Sequence, residues 1–301
     1  MMPLKSSYPQ PQDITISENY PLSNLSTLGT GGTAEFFVQP ETISQLQESI
    51  RAARKLPVYV IGGGSNILIP DGKIPGLVIS TRRLVSLMRR GKFSAEIESG
   101  YSFPRLVSSL HGMYWGGLEF AVGIPGTLGG AIMGNAGAGG HGVCEFVESV
   151  SVIDRAGSLK SLKRGEFEYS YRNCTLSASE VILASAVMTF RKKLPDDTDE
   201  YLSFMAKRKS QPTNSRSAGC TFKNPPGHSA GKLLDECGCK GLRVGGAVVS
   251  DKHANFIVNS GNATSSDVME LSELCAKKVF DVTGITLEPE IKTLSPCFIA
   301  P

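Results

Sequence analysis

Nine of the twenty residues from Gly123 to Gly142 are glycine, most of them in the run Gly123-Ile-Pro-Gly-Thr-Leu-Gly-Gly-Ala-Ile-Met-Gly-Asn-Ala-Gly137. Glycine loses more backbone entropy on ordering than any other residue, so this density argues against a packed helix or strand. A bound ligand would offset that loss, because successive glycine amides can converge on an anion and let main chain approach a flat ring. A mobile loop is the competing reading. Pro125, Leu128, Ile132 and Met133 are interleaved, however, and would make no sense in a solvated linker. A second glycine loop, Ile61-Gly-Gly-Gly-Ser-Asn66, follows the apolar run Val58-Tyr-Val-Ile61. That run reads as a buried strand, preceded by a helix over 43–53 with Ile43, Leu46 and Ile50 at helical spacing. After Asn66, the segment Ile67-Leu-Ile69, the Asp71-Gly72 turn and Leu77-Val-Ile79 read as a hairpin. This excludes a dinucleotide fold of Rossmann type, in which the loop opens a helix and carries G-x-G-x-x-G spacing.

With 301 residues and 41% hydrophobic content the chain can bury a substantial core and has room for two or three domains. Its formal charge of +3, from 31 basic and 28 acidic residues, is too mild to imply nucleic acid and suits a small anionic substrate. Met1 to Asn24 lacks an apolar h-region and no apolar run reaches bilayer length, so a cytoplasmic protein with no membrane partner is expected. Seven cysteines, odd in number and irregularly spaced, read as reduced thiols. Cys237-Gly-Cys239 invites a metal reading, but with four histidines and no second cysteine pair, partly buried thiols are expected instead and no metal site.

Further strands are expected at Ala95–Ser99, Ser149–Ile153 and Val181–Phe190, with a helix at Arg105–Leu110. Composition breaks fall at Arg82–Lys92 and at the charged linker Arg191–Glu200. Beyond the second break, helices at Ala230–Cys237 and Thr264–Phe280 flank a strand at Asn255–Asn259. In the longer helix Thr264 and Asp267 fit an N-cap, Val268, Leu271, Leu274 or Cys275, and Val279 form one apolar stripe, and Gly284 stops it.

Gly29-Thr-Gly-Gly32, Gly62-Gly-Gly-Ser-Asn66, Gly123-Ile-Pro-Gly126 with Gly134-Asn-Ala-Gly137, Tyr171-Arg172, Gly219-Cys220 through Lys223-Asn-Pro225, Ser250-Asp-Lys-His-Ala-Asn-Phe256 and Leu287-Glu-Pro-Glu290 occur in that order. Together they resemble the UDP-N-acetylenolpyruvoylglucosamine reductase family, from about Asn24 to Lys292. The resemblance implies an α+β protein: a two-part FAD-binding fold of the vanillyl-alcohol-oxidase type, then a C-terminal α+β substrate domain. The expected units are 18–85, 86–195 and 196–301, with a tail that can pack back on the first. Non-covalent FAD, NADPH as electron donor and a nucleotide-sugar substrate in peptidoglycan precursor synthesis are implied with it, in a protein expected to be a monomer. Arg172 and Cys220 stand too close in sequence to hold the tyrosine-bearing loop of the family's longer class, so the chain resembles the shorter one.

By the same resemblance the cofactor-binding residues are Gly62, Gly63, Gly64, Ser65, Asn66, Gly123, Ile124, Pro125, Gly126, Gly130, Gly134, Asn135, Ala136 and Gly137. Reducing an enolpyruvyl ether leaves negative charge beside a carboxylate, which must be stabilised and then protonated. Cys220 holds the position of the family's proton donor, where serine is usual. A thiol is a far better acid than an alcohol, though it adds an oxidation hazard. Flanking Gly219 and Lys223-Asn224-Pro225 argue for an exposed turn rather than a buried structural cysteine. Arg172 takes the position that holds the carboxylate through a planar fork. Glu290 takes that of a second acid; the residues alone leave it open against Glu288. Tyr171, Lys223 and Asn224 are expected at the nucleotide-sugar, and Lys207-Arg-Lys209 is either a diphosphate contact or a solvated helix face. His253 is expected to order a loop, while Val248, where relatives often have glutamine, removes one polar contact. Two rivals stand beside this reading. One is a sugar or lactone oxidase, disfavoured because Asn66 replaces a tethering histidine; the other is an inactive binding protein, which has no reason to keep Cys220, Arg172 and Glu290 together.

Overall fold

The computed structural model describes residues 14–299. The part of the leader argument that rests on Met1–Asp13 lies outside the described residues. A first sheet contains β1 (Ser17–Pro21), β2 (Thr33–Val38), β3 (Val58–Ile61) and, after the short β4 (Ile67–Leu68), β5 (Lys73–Ser80). Its order is β1-β2-β5-β3, with β5 parallel to both β2 and β3. Helix α1 (Ile43–Ala52) makes the β2-to-β3 crossover. Thr42 caps it through the Gln45 amide, and its Leu46 and Ile50 are buried against Val58, Leu77 and Ile79.

The expected hairpin after Asn66 is not formed. β4 pairs in parallel with β14 (Lys292–Thr293), from the other end of the chain, and β5 pairs with its parallel neighbours. Asp71 does not turn a hairpin either. Its carboxylate accepts the backbone amides of Ser265 and Ser266 at 3.0 Å each, capping a helix of the C-terminal region.

The second sheet is antiparallel throughout and contains β6 (Leu87–Arg89), β7 (Ser94–Glu98), β8 (Val147–Asp154), β9 (Leu159–Lys163) and β10 (Val181–Thr189), in the order β9-β8-β10-β7-β6. Alternate residues of β8, Val150 and Val152, pack with Phe103, Leu106 and Leu110 of α2 (Phe103–Gly112) in the largest core. Within the glycine-dense stretch the chain forms a six-residue helix, α3 (Leu128–Met133). Helix is therefore not excluded there: Thr127 caps it through the Gly130 amide, and Leu128 and Ile132 anchor it in the core.

The segment expected as a second linker is ordered. Arg191–Lys192 pairs with Trp115–Gly116, and Asp197 begins α4 (Asp197–Lys209). Beyond it, α5 (Ala230–Glu236), the antiparallel strands β11 (Arg243–Val244), β12 (Ala247–Val249) and β13 (Ile257–Asn259), and α6 (Ser265–Thr283) enclose a separate core. In α6 Thr264 and Asp267 cap each other's backbone reciprocally, and Gly284 ends the helix at φ +72°. Its stripe runs through buried Cys275, with Leu274 exposed. Cys239 hydrogen-bonds the Cys275 thiol in that core, and all seven cysteines are free.

Candidate active site

The three regions meet at a cavity of about 550 Å³. Both glycine loops line it, the first leaving β3 and the second entering α3, and they touch each other. A Cβ on Gly63 would come within 2.3 Å of the Gly126 Cα, and one on Gly64, at φ +65°, within 1.7 Å of the Leu25 carbonyl. Side chains are excluded at these positions by the protein itself. At Gly130 and Gly134 the reason differs. There a Cβ would meet no protein atom closer than 3.7 and 3.5 Å, so the side chain is missing toward the cavity. Ser99 lines the same wall, almost wholly buried and with its hydroxyl unpartnered. Open glycine faces beside α3 and an orphaned buried hydroxyl fit a large ligand with ring systems and phosphates, as a flavin nucleotide has.

Of the residues expected to hold the cofactor, Gly62, Gly63, Gly64, Ser65, Asn66, Gly123, Ile124, Pro125, Gly126, Gly130, Gly134, Ala136 and Gly137 line the cavity. Asn135 does not. It is buried at φ +41°, accepting from the Cys144 amide and donating to the Ser170 carbonyl, so it braces the loop from behind. Arg82 was invisible to sequence reasoning because nothing local marks it. Its guanidinium donates to the carbonyls of Gly62, Gly63 and Leu25 at 2.7–3.0 Å, which fixes the conformation of the first loop.

Cys220, Arg172 and Glu290 are brought to one wall of this cavity by different parts of the chain. Cys220 follows Gly219 (φ +81°), and Asn255 grips the segment just after it. The Asn255 carbonyl accepts from the Thr221 amide, while its side chain both accepts from and donates to Phe222. The Glu290 amide then donates to the Thr221 carbonyl, placing Glu290 alongside. Arg172 occupies a two-residue hairpin turn between Ser170 and Asn173 at φ +56°, a strained conformation for a non-glycine residue. Its Nε donates to Glu290 Oε1 at 2.7 Å. Glu288 points outward, 70% exposed and paired with Lys223, so the geometry selects Glu290.

Cys220 is half-buried, not the exposed turn residue expected. Burial, and next the nearby Glu290, push its thiol up to about 11, while Arg172 and Arg208 pull the other way. The group is therefore protonated at neutral pH. Burial also raises the Glu290 carboxyl, against the opposing pull of Arg172. Of the basic triplet only Arg208 reaches the cavity, its stem over Gly123 and its guanidinium on Gln211 Oε1 at 2.9 Å. Lys207 lies over the Phe204 ring and Lys209 is exposed.

The residues expected at the nucleotide-sugar do not line the cavity. Tyr171 is exposed beneath the Arg172 guanidinium, Lys223 pairs with Glu288, and Asn224 accepts from the Ala230 amide at the start of α5. Val248 belongs to the three-stranded sheet opposite Val258, also off the cavity wall. His253 accepts from the Asn255 amide, which orders that loop. Among the described residues the acidic cluster close enough to share an ion is Glu119, Asp197 and Glu200, and Arg191 already binds Asp197 through two hydrogen bonds.

Residues 211–294 match a family model described as UDP-N-acetylenolpyruvoylglucosamine reductase, C-terminal domain, and residues 34–163 match one described as FAD binding domain. The UDP-N-acetylenolpyruvoylglucosamine reductase of Prochlorococcus marinus is 38% identical over 291 residues, 93% of this chain and 98% of that protein. The corresponding protein of Chlamydia felis is 39% identical over 281 residues, 91% and 92% of the two chains. Among solved structures, that of UDP-N-acetylenolpyruvylglucosamine reductase from Thermus caldophilus superposes with a TM-score of 0.80 at 33% identity, covering 94% of this chain and 99% of that one. No helix among the described residues is long and apolar enough to cross a membrane.

Proposed function

The chain belongs to the UDP-N-acetylenolpyruvoylglucosamine reductase family, and from that premise we propose how its own residues share the reaction. It is an FAD-dependent oxidoreductase that reduces UDP-N-acetylglucosamine enolpyruvate to UDP-N-acetylmuramate for peptidoglycan synthesis, with NADPH as electron donor. Its fold joins an FAD-binding unit of the vanillyl-alcohol-oxidase type to a C-terminal α+β domain. Bound FAD supplies the two-electron transfer from NADPH to the enolpyruvyl double bond.

The residues that would hold FAD are the two glycine loops, with Gly130 and Gly134 leaving room for a ring; the Leu128, Gly129 and Gly130 amides at the head of α3 are already taken by Tyr101, Ser99 and Thr127. Arg172 binds the substrate carboxylate with the nitrogens that Glu290 does not occupy, and takes up negative charge as it develops. Cys220 gives its thiol proton to the carbon that carries that charge. Arg172 and Arg208 then stabilise the thiolate that remains, and Glu290 orients Arg172 and helps polarise the developing enolate. Arg208, on α4, adds a second cation facing the anionic substrate. The observation that carries this reading is the meeting of a protonated thiol, an arginine and a carboxyl at one wall of a glycine-lined cavity.

The units 18–85, 86–195 and 196–301 are part of the same proposal. So is a cytoplasmic monomer: all the proposed groups come from one chain, and free thiols suit a reducing compartment. Purified protein is expected to carry a flavin absorbance band that NADPH bleaches and enolpyruvyl UDP-N-acetylglucosamine restores. Colourless protein that stays colourless with added FAD contradicts it.

A further inference from the structure

The cavity has two chemically different ends. Arg172, Arg208, Glu290 and Cys220 gather at one; at the other, Val60 of β3 and Val181, Ile182 and Leu183 of β10 form an apolar wall. The C-terminal tail closes that wall. After β14 has paired with β4, the Leu294 amide donates to the Leu68 carbonyl, the Cys297 amide to the Val58 carbonyl at 2.7 Å, and the Val58 amide to the Phe298 carbonyl at 3.0 Å. Phe298 is fully buried with Ile153, Ile182 and Ala184 of the second sheet and Val58 and Leu77 of the first. The tail thus straps the two sheets together across the seam where the cavity ends. Cys297, one residue before this anchor, lines the cavity.

A second, independent feature marks this end as a ligand seat. Ser99, whose amide donates to the Ala184 carbonyl beside that stretch of β10, is almost wholly buried, lines the cavity and leaves its hydroxyl without a partner. An apolar slot with one orphaned hydroxyl suits a flat aromatic ring carrying a few polar atoms.

We propose that this apolar end seats an aromatic ring of the bound flavin nucleotide, and that the tail closes over it with the Cys297 side chain against the ligand. The inference rests on the cofactor reading above and extends it to a segment outside the glycine loops. The tail is then a lock on the cofactor as well as a strap between sheets, and Cys297 becomes a thiol whose access reports cofactor occupancy.

The experiment is alkylation by N-ethylmaleimide of apoprotein and FAD-loaded protein, each cysteine followed by peptide mass spectrometry. Burial holds the Cys297 thiol up at about 11, so labelling is run at mildly alkaline pH, where Cys297 is expected to label in the apoprotein and to be protected about tenfold or more by saturating FAD. Absence of labelling in the apoprotein, or equal rates with and without FAD, overturns the proposal. A Cys297→Trp variant supplies a second reading, because the indole would fill the slot. Its affinity for FAD, measured by quenching of flavin fluorescence, is expected to fall about tenfold or more while Cys297→Ala changes little. Melting of the apoprotein confirms that both variants fold, and full-strength FAD binding by folded Cys297→Trp overturns the proposal. If FAD fails to bind the unmodified protein at all, the cofactor reading itself fails; if it binds and leaves Cys297 untouched, only this inference does.

Discussion

Cys220 departs from the serine usual in its family, and its surroundings decide what that change means. An unperturbed thiol, near ~8.5, would be partly ionised in mild alkali, but burial carries this one to about 11. Above the ordinary value the native chain keeps a proton that the unfolded chain releases, so this group's contribution to stability is lost as pH rises through that window. The reoxidation of reduced enzyme by substrate should accordingly hold steady from neutral pH upward and decline only as pH approaches 11. Cys220→Ser should retain activity and abolish that alkaline decline, with peroxide resistance little changed because the thiol it replaces is half-buried and protonated. Rapid-mixing rates across pH, and residual activity after peroxide treatment, check both. At this scale the sequence singled out Arg172, Cys220 and Glu290 through their motifs, and all three line one cavity. Their neighbours follow other constraints: Tyr171 shares the hairpin turn with Arg172 yet is exposed, and Lys223 follows buried Phe222 yet turns to Glu288. On a helix successive residues stand roughly 100° apart, so one member of Lys207-Arg-Lys209 reaches the cavity and its companions do not.

The two glycine loops carry two kinds of glycine, and substitution should separate them. At Gly63 a methyl group meets the facing loop at 2.3 Å, so Gly63→Ala must push the loops apart and should lower both FAD affinity and the melting temperature. At Gly134 a methyl group meets no protein atom closer than 3.5 Å and enters the space proposed for the ligand. Gly134→Ala should weaken FAD binding by about tenfold or more while leaving the apoprotein's melting temperature unchanged or slightly higher, since alanine favours the helix end. Flavin fluorescence titration and thermal unfolding of the two apoproteins test the contrast. The loops could be recognised from sequence because their chemistry is local. The false hairpin after Asn66 has the converse cause. Asp71-Gly72 is sound turn chemistry, but the partner of β4 lies at Lys292–Thr293, and pairing at that separation leaves no local trace.

Across the whole molecule, the cavity lies at the junction of the three regions and depends on contacts that cross between them. Asp71 caps α6 from the first sheet, Thr27 Oγ1 donates to the Ser217 carbonyl at 2.7 Å, and Phe298 is buried between two sheets. Phe298→Ala should cost about 3–5 kcal/mol, seen as a lower denaturation midpoint and weaker FAD retention. Such long-range ties were the least readable part of the chain, since Arg82 and Phe298 match no motif, Asp71 reads as a turn residue, and all three gain meaning only from the segments they meet. The account's central claim is that the charged wall contributed mainly by the C-terminal region serves the second half-reaction and not the first. Rapid-mixing measurement of both halves in Cys220→Ala tests this most directly. Bleaching by NADPH should proceed at the unmodified rate, while reoxidation by enolpyruvyl UDP-N-acetylglucosamine should slow by roughly 10²-fold or more. Equal slowing of both halves, or unimpaired reoxidation, would contradict the account.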